Sequence, residues 1–331
     1  MQRTTQTMER ALVSAVVLWW MATVAWSQSL TWLGILPGYS RSEAYGVSAD
    51  GSVVVGWVSN AAGHWRAFRW VAGVGMQNLG LLSSESGSWN KESEAYGVSA
   101  DGGIVVGWSY NDFGRPRALR WTASSKQDLG TLAGNSDLYS SKAYGVSADG
   151  RVVVGWSVNS AGNVRAFRWT ADSGLQELGT LGGSVSFATG VSADGRVVVG
   201  WSYNAAGNVR AFRWTAAGGM EDLNTTYASL LTNGSVLLAA RAISPNAGRY
   251  IVGYGYNAAT GRYEAFLLDT CASRRNGDTN DDCCVNEADL QAVLFSFGQD
   301  GSGLPADVNG DGVIDDSDLL IVLANFGSGC Y

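Results

Sequence analysis

The stretch A-Y-G-V-S-A-D-G-R-V-V-V-G-W-S at residues 143–157, followed by R-A-F-R-W at 165–169, decides how this chain is read. Versions of it recur five times, roughly 48 residues apart, and a period of that size marks a repeated supersecondary unit. The serine of the first part falls at Ser48, Ser99, Ser147, Ser192 and Ser244. Arrays of such units more often present a surface than carry out a reaction.

The third copy shows the local structure that the pattern predicts. Residues 143–147 form a short alternating run, and Ala148-Asp149-Gly150 supplies a tight hairpin turn. Residues 152–157 are β-branched and apolar, with Val152, Val154 and Trp156 on one face. A second glycine-containing turn covers 159–163, and residues 165–170 place Arg165, Phe167 and Trp169 together. L-Q-E-L-G-T at 175–180 reads as a fourth strand. Its Leu-Gly pair recurs at Leu79-Gly80 and Leu129-Gly130, with Leu33-Gly34-Ile35 ahead of the first copy and Leu223-Asn224 as the fifth instance.

Four antiparallel strands repeated five times predict a mainly β fold, a five-bladed β-propeller over about residues 30–269. A solenoid or stacked meander is the alternative, because periodicity does not dictate whether an array closes. The fifth copy deviates, with Ile243-Ser244-Pro245-Asn246 for V-S-A-D and E-A-F-L-L at 264–268 for R-A-F-R-W, as a terminal repeat does. The 44 glycines and 14 tryptophans against 4 prolines suit short strands joined by glycine turns.

Residues 1–27 read as a cleaved secretory signal peptide: Arg3 and Arg10, an apolar run from 11 to 26, then Ala25-Trp26-Ser27. That run is too short and wrongly flanked for a transmembrane anchor. The expected order is therefore leader at 1–27, array at 28–269 and a C-terminal module at 270–331, in a protein secreted or held at the cell surface. All four cysteines, Cys271, Cys283, Cys284 and Cys330, follow the array. An even count in an exported chain favours disulfides, here two bridges that each use one of Cys271 and Cys330.

From Cys271 to Tyr331 there are 11 acidic and 2 basic residues, a net of −9, against −7 for the whole chain. An acidic module on a nearly neutral body argues against nucleic acid and suits a divalent cation. The single histidine, His64, leaves no second one for His-rich zinc sites, and lies in a turn expected to be exposed. No nucleophile elbow, phosphate loop or metalloprotease motif is present.

Within the array, Asp50, Asp101, Asp149 and Asp194 each precede a glycine in an A-D-G turn, where aspartate serves the backbone. The arginines Arg66, Arg117, Arg165 and Arg210 read as packing residues. Glu43 and Glu94 break the pattern ahead of A-Y-G, where later copies carry Lys142, Phe187 and Arg241. They are the candidates for a glycoside hydrolase, which needs two unlike acids converging in a funnel.

D-V-N-G-D-G-V-I-D-D-S-D-L from Asp307 carries the sharpest chemical signal. Calcium takes six to eight hard oxygens, which a twelve-residue loop supplies from positions 1, 3, 5, 7, 9 and 12. Those are Asp307, Asn309, Asp311, the Val313 carbonyl, Asp315 (directly or through water) and Asp318, with Gly312 at the sharp turn of position 6. A second loop starts at Asp278 and offers Asp278, Asn280, Asp282, the Cys284 carbonyl, Asn286 and Asp289, with Cys283 at position 6. Helices are expected at 289–297 and 318–326. Two Ca2+ ions are thus expected, the Asp307 loop matching the pattern more fully.

The repeat resembles the extracellular HAF repeat family, through G-V-S-A-D-G, V-V-V-G-W and A-F-R-W, although arginine replaces the first residue of the His-Ala-Phe tripeptide. That resemblance implies an exported bacterial protein and names no reaction. The C-terminal pair, over about 276–328, looks like a type I dockerin, a duplicated calcium loop with a following helix. The resemblance implies a cohesin-like partner or cell-surface component chosen by positions 10 and 11, here Glu287 and Ala288, then Asp316 and Ser317. These differ from the Ser-Thr pairs common in that family. The expected function is a non-catalytic binding or scaffold protein tethered by the calcium module. The alternative is a component of an extracellular polysaccharide-degrading system, including a glycoside hydrolase.

Overall fold

A computed structural model of the chain describes residues 29–83, 92–134, 136–245, 248–271, 276–280, 283–301 and 303–328. The expected leader, Asp282 and Cys330 lie outside the described residues. The chain divides after Leu33, and residues 29–33 carry no regular structure.

The second unit is mainly β up to residue 269. Five antiparallel sheets follow one another at residues 41–78, 93–128, 141–177, 182–222 and 236–269. Each strand pairs with the next in sequence; the first four sheets have four strands and the last has three. In the third copy the strands are Ser141–Val146, Val153–Val158, Val164–Thr170 and Gly174–Glu177.

The fourth strand stops short of the Leu-Gly pair expected within it. Leu129 and Leu178 are buried, and the glycine carbonyl after each is taken by a serine of the next sheet. Leu33-Gly34-Ile35 lies in no strand. Leu223-Asn224 opens a one-turn helix, Leu223–Thr226, because the Asp222 carboxylate accepts the Asn224 amide at 2.8 Å and caps it.

Apolar packing lies between successive sheets. Val53, Val55 and Ala67 meet Ala95, Val105, Leu119 and Trp121, and equivalent clusters join the second sheet to the third, the third to the fourth and the fourth to the fifth. Sheets covered on both faces need continuous apolar runs, so Val153 is as buried as Val154 despite pointing the other way.

Buried serines supply the polar links. Ser93 Oγ donates to the Gly80 carbonyl and accepts the Ala67 amide at 3.0 Å; Ser141 and Ser186 repeat this toward Gly130 with Ala118, and Gly179 with Ala166. The serines of the V-S-A-D turns hold the turn aspartates, with Ser48 to Asp50 at 2.7 Å and Ser147 to Asp149 at 2.6 Å. One backbone bond then passes from turn to turn: Ala49 to Ala100, Ala100 to Ala148, and Ala148 to Ala193. The A-D-G aspartates thus serve the backbone, as expected.

The glycine of V-V-V-G-W has a steric cause. A Cβ at Gly56, Gly107, Gly155, Gly200 or Gly253 would fall far inside contact distance of the carbonyl oxygen at Glu43, Glu94, Lys142, Phe187 or Ala239. Gly107→Ala should therefore cost about 1–3 kcal/mol through overpacking against backbone. Urea denaturation checks this, and an unchanged midpoint would contradict it.

The turns also set an acid dependence. The Ser52 amide, with the Ser48 and Ser52 hydroxyls, holds the Asp50 carboxyl at about 2, below its ordinary 3.8. Asp101 and Asp149 are lowered in the same way, chiefly by Ser99 and Ser147. A depressed folded-state pKa stabilises above the unfolded value and is lost as pH falls through the folded one. Stability should drop between about pH 4 and pH 2. Replacing Asp50, Asp101 and Asp149 together with asparagine should flatten the melting temperature across that window.

Candidate functional site

In every sheet the first strand carries a surplus residue at the same position against its partner. The register breaks between Ala44 and Gly46, Ala95 and Gly97, Ala143 and Gly145, Ala188 and Gly190, and Ala240 and Ala242. The surplus residues are Tyr45, Tyr96, Tyr144, Thr189 and Arg241. A bulge re-aims the side chain it carries, and all five line a single cavity of about 590 Å³. The residues next to them, Gly46, Gly97, Gly145, Gly190 and Ala242, line an adjoining space of about 450 Å³. One position of the repeat, used five times, therefore builds the site.

Its walls are aromatic. Tyr45 stacks on Tyr96 at 5.4 Å between ring centres, Tyr96 meets Tyr144 edge-on at 5.2 Å, and Phe187 stacks on Trp201 at 4.5 Å. The Trp57 indole donates to the Tyr45 oxygen at 2.9 Å, and Trp156 to that of Tyr144 at 3.1 Å. Burial pushes the phenol pKa of Tyr144 up. The Arg241 guanidinium lies 5.3 Å from the ring centre of Tyr254. No carboxylate is among the described residues lining the cavity.

The sequence comparison placed Arg241 with Glu43 and Glu94, and the register corrects this. Ala239 pairs with Tyr254 as Glu43 does with Trp57, so Ala239 is the equivalent residue and Arg241 holds the tyrosine position. The tyrosines were missed because A-Y-G-V reads as plain alternation. The available signal was the drift from tyrosine to threonine to arginine at one position of an otherwise repetitive motif.

Glu43 and Glu94 do not line the cavity. Glu43 pairs with Arg41 at 2.8 Å on the surface. Glu94 is buried, accepting from the Tyr96 hydroxyl and from the Trp108 indole at 3.3 Å. Lys142, 3.6 Å above the Trp108 ring, is lowered in pKa by burial, with Glu94 and Glu92 opposing that shift. Arg117 pairs with Asp128, Arg165 with Glu177 and Arg210 with Asp222, so these arginines tie strands together. His64 is exposed.

The C-terminal module repeats itself at a 29-residue offset. Asp278 Oδ2 accepts the Cys283 amide at 2.9 Å, and Asp307 Oδ2 accepts that of Gly312 at 3.0 Å. Cys283 has φ +69° and Gly312 +89°, so both loops make the left-handed turn of position 6. Cys283 does so as a non-glycine residue, and it is bridged to Cys271. Asn286 and Asp315 form capping boxes, starting the helices at Glu287–Ser296 and Asp316–Ala324, two residues earlier than expected. Glu287, Ala288, Asp316 and Ser317 are exposed on those first turns. Val285 exchanges backbone bonds with residues 327–328, and Ile314 with 298–299, so each loop is fastened behind the other helix.

The donor chemistry fits a hard cation. Asp278, Asp289 and Asp318 are fully buried, and residues 276–331 contain no lysine, arginine or histidine. Asp318 accepts the amides of Val308, Asn309 and Asp315, and Asp289 those of Thr279 and Asn286. Among the described residues no three acidic, cysteine or histidine side chains converge on one point. No helix among them is long and apolar enough to cross a membrane.

No family model and no curated protein matches the chain. Among solved structures it is similar to TolB from Acinetobacter baumannii, at 16% identity and TM-score 0.48 over 70% of this chain and 52% of that one. It is also similar to the β-propeller domain of the Trilobed protease from Pyrococcus furiosus, at 11% identity and TM-score 0.42 over 70% of each. Likenesses this distant say nothing about ligands.

Asp318→Asn should leave a buried amide without an acceptor and destabilise the module by about 1–3 kcal/mol, whereas the exposed Asp316→Asn should not. Thermal melts followed by far-UV circular dichroism in chelator separate the two; equal melts would contradict the assignment.

Proposed function

We propose that this chain is an exported, non-catalytic binding protein, in which a five-bladed β-propeller presents a ligand cavity and a calcium-folded, dockerin-like module tethers it. The observation that carries this is the convergence of five bulged residues on one aromatic cavity. Five phenols, an indole and a guanidinium among the lining residues equip the cavity to stack against a guest and hydrogen-bond it.

Two calcium ions would be held by Asp307, Asn309, Asp311, the Val313 carbonyl, Asp315 and Asp318, and by Asp278, Asn280, Asp282, the Cys284 carbonyl, Asn286 and Asp289. Ions that bind only the folded loops stabilise them, by about 3 kcal/mol at a hundredfold excess over Kd. The exposed pairs Glu287-Ala288 and Asp316-Ser317 would then meet a cohesin-like or cell-surface partner. The resemblance of the repeats to exported HAF proteins supports the location.

One experiment addresses both halves. The full chain is applied to immobilised oligosaccharides with calcium or with chelator, beside the double variant Tyr45→Ala/Tyr254→Ala. Retention by the parent, its loss in the variant, and a lower melting temperature of the helical signal in chelator are expected. Equal retention of parent and variant refutes the cavity, and an unchanged melt in chelator refutes the calcium.

A further inference from the structure

We infer that the cavity receives a ligand carrying one carboxylate and a flat apolar face, the chemistry of a uronic acid residue in an oligosaccharide. This rests on the cavity being a binding site. Arg241 supplies the first argument. Arg117, Arg165 and Arg249 each have a carboxylate partner, whereas Arg241 is exposed, with a tyrosine ring as its nearest described interaction. Its planar fork of donors suits a carboxylate in two-point contact.

The lining supplies the second argument. Aromatic cages usually attract cations, but here a guanidinium stands in the cavity, while the nearby Glu94 carboxylate is outside the lining, buried and already accepting from Tyr96 and Trp108, so a second cation is disfavoured. Tyr45 and Tyr144 each accept an indole hydrogen, which leaves their own hydroxyl hydrogens to donate to a guest's oxygens. Tyr45 is 47% exposed and Tyr254 39%, so ring faces remain open for stacking. A sugar acid uses all three features together: its C–H face on the rings, its hydroxyls at the phenols, its carboxylate on Arg241. An aromatic carboxylate would leave the phenols without acceptors. The volume of about 590 Å³ admits the end of a short oligosaccharide.

Calorimetric titration of the full chain with trigalacturonate, neutral cellotriose, the cationic glucosamine trimer and benzoate tests this. Trigalacturonate should bind best, and more weakly as salt is raised. Arg241→Ala should weaken it about tenfold or more, as expected for charge-assisted hydrogen bonds, and Arg241→Lys by less. Because Arg241 is exposed, both variants should melt like the parent. Cellotriose binding as tightly, or Arg241→Ala leaving trigalacturonate unaffected, overturns the anion assignment; if Tyr45→Ala/Tyr254→Ala still abolishes binding, the cavity itself stands. Preference for benzoate overturns the sugar, and absence of binding by all four overturns the inference.

Discussion

A surplus residue at one equivalent position in the first strand of each sheet is the constraint on which the array depends. The backbone that carries it leans across to the second strand, and only a residue without a side chain fits opposite. That requirement fixes the glycine of V-V-V-G-W, and through it the register of the whole sheet. The same surplus residue leaves the alternation of the strand and enters the cavity. Sheet register and the cavity lining thus share a cause, since the strand opposite each required glycine carries the surplus residue into the cavity.

The strand pattern was legible because the second, third and fourth repeats bury both faces of their sheets, which forces long apolar runs between glycine turns. The two equivalent loops and their helices were equally plain, since Asp278 and Asp307 open the same spacing 29 residues apart. The cavity was not legible. Periodicity of two assumes that every residue advances the chain by the same step, and Tyr45, Tyr96, Tyr144, Thr189 and Arg241 each break that step. The offset of Arg241 against Ala239 has no such cause: Ala239 stands five residues before Ser244, as Glu43 stands five before Ser48.

Three serines in each of the second, third and fourth copies are buried links in the fold. Ser93, Ser141 and Ser186 each bond the preceding sheet twice, so the strand ends that a propensity argument would extend are held by side chains instead. A hydroxyl is small enough to sit among valines and can both give and accept. Alanine would fill the space and strand two backbone groups.

The exchange of backbone bonds in the C-terminal module has a consequence for how it is made. Val285 closes on residues 327 and 328, just beyond the second helix. A ribosome must therefore deliver that helix and the residues after it before the earlier loop finds its clasp. The two halves mature together, and a cut just ahead of residue 327 would undo the half that lies farthest from it along the chain.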